Sequence, residues 1–385
     1  MTAAGTAARD VAGESGGAAA AGGSGGADAA GGVSTDVPYT LTRLGTVMAP
    51  EPGNPLEVDG VLNPGSGRGP NGRLYLLPRV VAAGNVSRIA LVEVQTTDGV
   101  PTGVRREGIV LAPDEAWERG SRSAGVEDPR VTFVAVLGLH VMTYVAFGPL
   151  GPRTALAVSP DLRHWRRLGP VHFAYDPLLG TDLNLYTNKD TSWFPGPVRG
   201  PDGRSCLALL HRPSWDLASV RPGEGVRGPA GVTDTRAAMW VSFVPVADVL
   251  GDLRALVHVD QHRFVAGSRY PFEALKIGGG PPPLRVPEGW LLLHHGVTGT
   301  IVEGFEPQRD VHYRAGAMIL DAEDVTRVVA RTPEPLLVPE VGSEQHGTVD
   351  NVVFPTAIEE VDGQRHVFYG MADARIGVAR LDRTG

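Results

Sequence analysis

From about residue 37 onward, apolar and polar positions alternate in short bursts. Runs such as "GRLYLLPRVV" (72–81), "RIALVEVQT" (88–96), "VTFVAVLGLHVMTYVAF" (131–147), "CLALLHRPS" (206–214), "AAMWVSFVP" (237–245), "GWLLLHHGV" (289–297) and "HVFYGMADARIGVARL" (366–381) are rich in Val, Leu and aromatic residues. Each is bounded by Gly, Pro, Asp or Asn. A period of two bounded by turn residues is the mark of a half-buried strand, and a helical period sustained over a dozen residues is hard to find. The pattern predicts an all-β chain.

The runs also recur in a loose order. A leading segment with a polar group and a proline is followed by a strand ending in His, Tyr or Arg, then by a strand with small residues and Asp. This order appears from "EDPRVTFV", "KDTSWFPG", "GGGPPPLRV" and "DNVVFPTAI", with the strands of 74–94 ahead of them. Repeats of this kind suit blades of sheet around a shared channel, so the predicted architecture is a five-bladed β-propeller, with a large sandwich as the alternative. Residues 37–385 are expected to form this single domain. Residues 1–36, nearly all Ala, Gly and Ser, lack side chains able to drive a core and are expected to be a disordered tail.

The chain begins without a basic, apolar secretory signal, and no run reaches the roughly 18 apolar residues of a membrane span. Its one cysteine, Cys206, leaves no internal disulfide. A cytoplasmic protein with no membrane partner is therefore expected. Net charge is −8, which argues against nucleic acid as the partner.

In a propeller, one polar group per blade converges at the channel mouth. The candidates are Arg79 and Arg88; Glu127, Asp128 and Arg130; Lys189, Asp190 and Arg212; Lys276, His294 and His295; and Asp350, Asn351 and Asp373. Arg and Lys beside His suit phosphate or carboxylate. A carboxylic acid among them can protonate a leaving oxygen, and Tyr144, Trp193, Tyr313 and Phe354 offer ring faces to a sugar. Each has a structural reading too. Asp128 before Pro129 can open a turn, the adjacent pair His294-His295 faces opposite ways on a strand and predicts no metal, "KIGGGPPPL" reads as a rigid turn, and Asp161 with Trp165 as a packed turn.

Taken in order, "GVEDPRVT", "NKDTSWFP", "LLHRPS", "KIGGGPPP" with "GWLLLHHGV", "YRAGAMILD", and "DNVVFPTAI" with "YGMADARIGVARL" resemble the mannoside phosphorylases of glycoside hydrolase family 130. The resemblance spans about residue 40 to the C-terminus and implies a five-bladed β-propeller. It also implies inverting phosphorolysis of β-mannosides to α-mannose 1-phosphate and an acceptor sugar. Asp128 matches the acid, delivering its proton through a mannose hydroxyl, aimed by Pro129 and held by Arg130 or Glu127. Lys189, Arg212, His295 and Tyr313 match the phosphate-binding residues, and Asn63, Arg88, Arg130, Lys276 and Asp373 the substrate-binding ones. Inorganic phosphate is the co-substrate, and neither cofactor nor metal is required.

Two other readings stand beside this one. An inverting β-mannoside hydrolase would use Asp190, Glu273 or Asp350 to activate water. A non-catalytic carbohydrate-binding propeller shares the fold without the chemistry. Acceptor sugar, linkage, homo-oligomeric state and the role of the Gly/Pro-rich segment 215–239 are left open by the sequence.

Overall fold

The computed structural model describes residues 32–120, 123–217, 223, 225–301 and 308–384. Most of the tail expected over 1–36 and part of the 215–239 segment lie outside these. Backbone pairing begins at Ser34, which bridges to Ala330. No helix among the described residues is long and apolar enough to cross a membrane.

The chain is all-β, as its alternation predicts. The first strand, β1 (Tyr39–Met48), pairs with the last strand of the chain rather than the next. β2 (Gly60–Arg68), β3 (Leu74–Ala82), β4 (Val86–Thr97) and β5 (Val100–Leu111) form an antiparallel meander. β6 (Ala124–Val134), β7 (Leu139–Gly148), β8 (Gly151–Ser159) and β9 (Arg166–Pro170) form the next, whose strand pairing with the first is a short parallel bridge of Val86 and Ser87 with Ala124 and Gly125. The following sheet contains β10 (His172–Phe173), β11 (Thr187–Trp193), β12 (Val198–Arg199), β13 (Ser205–Ser214), β14 (Met239–Pro245) and β15 (His258–Ala266), with β11, β13, β14 and β15 as its meander. After it come β16 (Lys276–Gly279), β17 (Leu284–Val286), β18 (Gly289–Ile301), β19 (Gln308–Leu320) and β20 (Val328–Arg331). β21 (Val353–Val361), β22 (Gln364–Met371) and β23 (Arg375–Arg383) make the last sheet, completed at its edge by β1.

Local chemistry explains the tightest links. Asp98-Gly99 between β4 and β5 has φ of 51° and 77°, and Asp362-Gly363 between β21 and β22 has 49° and 77°. Two left-handed residues make the hairpin turn whose twist matches that of the strands, and Asp-Gly tolerates it at low cost. The expected turn at 159–165 is present: Asp161 accepts backbone N–H bonds from Arg163 and His164, and the Trp165 indole donates to Leu162 O.

Core clusters lie between successive meanders. Ile89 packs with Met142, Leu156 with Leu207, Met239 with Leu292, and Leu291 with Val367. The last sheet in turn meets the first, through Phe368 and Leu76.

A second tie runs within the sheets, in the form of a buried glutamate just ahead of a meander's first strand. Glu118 accepts from Tyr144 Oη on β7 (2.6 Å) and from two nitrogens of Arg167 on β9 (2.8 and 3.0 Å). Glu344 accepts from Tyr369 Oη on β22 (2.8 Å) and from Arg43 on β1 (2.7 and 3.0 Å). Glu273 accepts from His294 on β18 (2.8 Å) and pairs with Arg331 on β20 (2.6 Å). Each carboxylate thereby fastens the second strand of a sheet to its outermost one.

Three expectations from the sequence change here. Tyr144 is buried against Glu118, and Trp193 lies wholly inside the core with Leu207 and Trp240, so neither presents a ring face to a sugar. Glu273 is sealed in its clamp, where burial alone would raise its pKa, but His294 and Arg331 hold it down to about 2. A carboxylate so held is a fastening, not a base.

Removing one partner of a buried ion pair leaves the other charge without compensation. Glu118→Ala is expected to lower unfolding stability by about 3–5 kcal/mol, read as a fall in the urea midpoint. An unchanged midpoint would refute the clamp.

Candidate active site

The site is assembled by bulges. On β2 the pairing with β3 is interrupted between Leu62 and Gly65, on β6 the pairing with β7 between Glu127 and Arg130, and on β11 the pairing with β13 between Lys189 and Ser192. Within the gaps stand Asn63, Asp128 and Asp190, with left-handed φ of 44°, 47° and 53°. A bulge breaks the strict alternation of faces and re-aims a side chain, and Asn and Asp are the non-glycine residues that best tolerate this backbone. Pro129 sits inside the interrupted stretch, where its missing N–H is no loss. The bulge, rather than a proline turn, aims Asp128.

Asp128 is held by partners on the first meander. Asn63 Nδ2 donates to its Oδ1 at 3.0 Å, and Arg79 Nη1 reaches the same oxygen at 3.3 Å. Arg79 is itself braced by Glu127 Oε1 (2.9 Å) and Ser87 Oγ (2.8 Å). Arg130, expected to fix the charge and orientation of Asp128, acts on it by charge; its hydrogen bonds go to the Asp128 backbone carbonyl (3.3 Å) and Gly280 O (2.8 Å), with its guanidinium over the Phe354 ring. Burial pushes the Asp128 carboxyl up. The charges of Arg79 and Arg130, the Asn63 bond and the charge of Lys189 outweigh it and hold the group below its ordinary value.

The cations gather next to this carboxylate. Lys189 and Arg212 face each other across β11 and β13. Arg212 Nε donates to Asp190 Oδ2 at 2.5 Å, and His295 Nε2 lies 3.6 Å from the same oxygen. His295 stacks on Tyr313 (ring centroids 5.6 Å apart) and meets Phe354 edge-on (4.4 Å), while Lys276 Nζ lies 5.5 Å from the Tyr313 ring centre. Burial, aided by Arg212 and Lys276, overrides Asp190 and takes the His295 imidazole down to about 3, so the ring is neutral. Asp190 is driven the other way: the charge and hydrogen bond of Arg212 and the charge of Arg130 overcome burial and keep it ionised.

Asp128, Arg130, Asn63, Lys189, Arg212, His295, Tyr313 and Lys276 thus form one connected neighbourhood, and the charge of Asp373 reaches it through Arg79. Arg88 lies on β4 opposite Val80 of β3, and among the described residues its Nη1 is buried without a protein partner. Asn63 Oδ1, Arg130 Nη2 and His295 Nδ1 share that condition. Buried polar atoms normally find partners, so unmatched atoms on residues of one neighbourhood point to a polar ligand. Asp350 is exposed and accepts the Gly347 N–H in a turn.

Sequence reasoning missed two things. Arg79, a channel-mouth candidate in the sequence without this role, hydrogen-bonds the Asp128 carboxylate, where Arg130 acts by charge alone. "KIGGG" is the strand β16 rather than a turn, and its glycines serve close approach.

Residues 250–384 match the family described as beta-1,4-mannooligosaccharide phosphorylase. The chain is 31% identical over 261 residues to a 1,2-beta-oligomannan phosphorylase of Thermoanaerobacter sp. (strain X514), covering 67% of this chain and 68% of that protein. It is 30% identical over 274 residues to a beta-1,2-mannobiose phosphorylase of the same organism, covering 70% and 69%. The structure of the beta-1,2-mannobiose phosphorylase from Listeria innocua in complex with beta-1,2-mannobiose has the same fold, with a TM-score of 0.63 and 22% identity over 90% of this chain and 97% of that one.

A side chain at Gly278 tests the packing of the cation group. A Cβ there would overlap Asp190 Oδ2 and fall 2.5 Å from His295 Cε1 and 2.8 Å from Arg212 Nε. Gly278→Ala is expected to displace the Asp190–Arg212 pair and weaken binding of inorganic phosphate by at least tenfold, as about 1.4 kcal/mol of lost interaction would, measured by calorimetry. Wild-type affinity would show that the pair does not bear on anion binding.

Proposed function

The chain belongs to glycoside hydrolase family 130, and from that membership we propose that it cleaves β-mannosides by inverting phosphorolysis. Inorganic phosphate attacks the anomeric carbon, and the products are α-mannose 1-phosphate and an acceptor sugar. The observation that carries this reading is the juxtaposition of Asp128 with Lys189, Arg212 and His295: one carboxylate for the leaving oxygen, and two cations beside a neutral imidazole for the attacking anion. In the same reading the meanders are the five blades of a β-propeller spanning 37–385, with the site at the mouth of its channel, in a cytoplasmic enzyme that needs neither cofactor nor metal.

The chain's electrostatics suggest how the acid acquires its proton. In the free protein, Arg79, Arg130 and Lys189 keep Asp128 ionised. A phosphate anion bound at Lys189 and Arg212 offsets part of that positive field, and a nearby negative charge raises a carboxyl's pKa. Phosphate binding and protonation of Asp128 therefore assist each other, as linkage requires. Asn63 and Arg79, both on the Asp128 oxygen, orient the carboxyl toward the sugar. Lys276, Asp373, Arg88 and Arg130 are the remaining polar groups for the mannose, and Tyr313 closes the anion site by stacking on His295.

Hydrolysis on the same scaffold would need a second carboxylate as base, roughly 6.5–9.5 Å from the acid. Of the three considered, Asp190 is bonded to Arg212, Glu273 is locked to His294 and Arg331, and Asp350 is tied into an exposed turn. These engagements favour phosphate over water as the nucleophile.

Asp128→Asn is expected to lower turnover by roughly 10²–10⁴-fold, the range for a general acid, while binding inorganic phosphate more tightly than wild type because a neighbouring negative charge is gone. Product analysis from a panel of β-1,2- and β-1,4-mannosides, with and without phosphate, checks turnover, and calorimetric titration of the variant with inorganic phosphate checks binding. Free mannose released at the same rate in the absence of phosphate would defeat the phosphorylase reading.

A further inference from the structure

In the second, fourth and last meanders described above, a glutamate ties the second strand to the outermost strand. At the corresponding place between β13 and β15 stands a chain of neutral groups. His211 is on β13, Ser242 on β14 and His262 on β15, and with Asn188 on β11 they are all at most 2% exposed.

The polarity of this chain is determined at every link. Ala174 O can only accept, so His262 Nε2 donates to it (2.8 Å) and the neutral ring offers Nδ1 as acceptor. Ser242 Oγ donates to that nitrogen (2.7 Å) and accepts from His211 Nε2 (2.8 Å). His211 Nδ1 then accepts from Asn188 Nδ2 (3.0 Å), which leaves Asn188 Oδ1 to accept the backbone N–H of Arg212 (3.0 Å). The Phe173 ring packs on both imidazoles, with centroids 4.9 Å from His211 and 5.7 Å from His262. Burial pushes both rings toward the neutral form. A proton added to His211 would set its Nδ1–H against the Asn188 Nδ2–H donor, and one added to His262 would turn the Ser242 hydroxyl away from its bond to Nδ1.

We propose that Asn188, His211, Ser242 and His262 are positioning residues that set Arg212, and Lys189 opposite it, for the phosphate anion. The proposal rests on the reading of Arg212 and Lys189 as phosphate cations. A glutamate at this place would add a negative charge next to the residue preceding Arg212 and oppose an anion there. A neutral relay delivers the same strand-to-strand fastening and orientation without that charge. Its fixed sense makes the Arg212 backbone, and so the root of the guanidinium, depend on a carbonyl at the far edge of the sheet.

The test is Ser242→Ala with the full chain, titrated with inorganic phosphate by calorimetry and assayed with a β-mannoside while phosphate is varied. Phosphate Kd and KM are expected to rise about tenfold, the equivalent of one buried hydrogen bond, with the mannoside KM unchanged. Ser242→Thr, which retains the hydroxyl, should restore them. A lowered Tm with wild-type phosphate affinity would mean that the chain only stabilises the sheet, and would overturn the proposal. Arg212→Ala separates the two levels: if it leaves phosphate binding intact, the phosphate assignment fails and this proposal falls with it. If Ser242→Ala does not fold, nitrogen NMR of histidine-labelled wild-type protein decides. Neutral Nε2–H tautomers at both rings, with His211 responding to added phosphate, support the relay; an Nδ1–H tautomer at either ring, or no response, overturns it.

Discussion

A residue in the left-handed region at a bulge is the constraint from which the site follows. Asn63, Asp128 and Asp190 each occupy such a position on the first strand of a meander. For most L-residues that backbone costs about 1–2 kcal/mol, and Asn and Asp are among the few that visit it routinely. The positions that can carry this geometry are therefore the positions that carry short polar side chains. Conformational preference and chemistry select the same residue types, and the bulge then turns those side chains out of the regular alternation toward one another. Asn63 and Asp128 meet at 3.0 Å although 65 residues separate them.

Gathering carboxylates at one place creates an electrostatic problem that the neighbouring strands solve by alternating signs. Arg79 stands between Glu127 and Asp128, Arg130 feels both Asp128 and Asp190, and Asp190 is enclosed by Arg212 and His295. An isolated buried charge is expensive, but a satisfied alternating chain is tolerated. The same chain is sensitive to a visiting charge, because an anion set among the cations shifts the balance at Asp128. The charge states of Asp128, Asp190 and the cations around them are thus properties of one network. Deeper in the sheets the fastening is done by Glu118, Glu273 and Glu344, each neutralised by an arginine outside the site.

What was legible in the sequence follows from these same constraints. Strand alternation and the turn residues that bound each run exposed the all-β character, the recurring polar segments gave a broad set of candidates, and the resemblance to the family narrowed it to Asp128, Lys189, Arg212 and His295. The bulges themselves left no trace in periodicity, because an interruption of one or two residues inside a strand of seven to eleven looks like an ordinary polar substitution. For that reason Tyr144 and Trp193 read as stacking residues when their faces belong to the core, and Arg130 read as the partner of a carboxylate it does not touch. Glu273 was misread for another reason: its partners His294 and Arg331 lie 21 and 58 positions away, beyond any local pattern. The glycines of "KIGGG" were legible as punctuation, but their purpose, room for Asp190, Arg212 and His295, exists only once β16 lies against them.

The last constraint is closure. β1 and β23 come from opposite ends of the described chain, and Arg43 on β1 clamps Glu344, which also holds Tyr369 on β22. Asp373, in the turn between β22 and β23, acts on Arg79 of β3, and its backbone carbonyl lies against Gly60 of β2. The environment of Asp128 therefore depends on contacts between the first and last sheets, and those are the contacts with the largest sequence separation. Long-range pairings carry the greatest loop-closure entropy and form late in β-rich chains. A partly folded chain with β1 unpaired would retain the bulge at Asp128 but lack the alignment of Arg79 with Asp373. The pairing that finishes the fold is also the one that completes the electrostatic surroundings of Asp128.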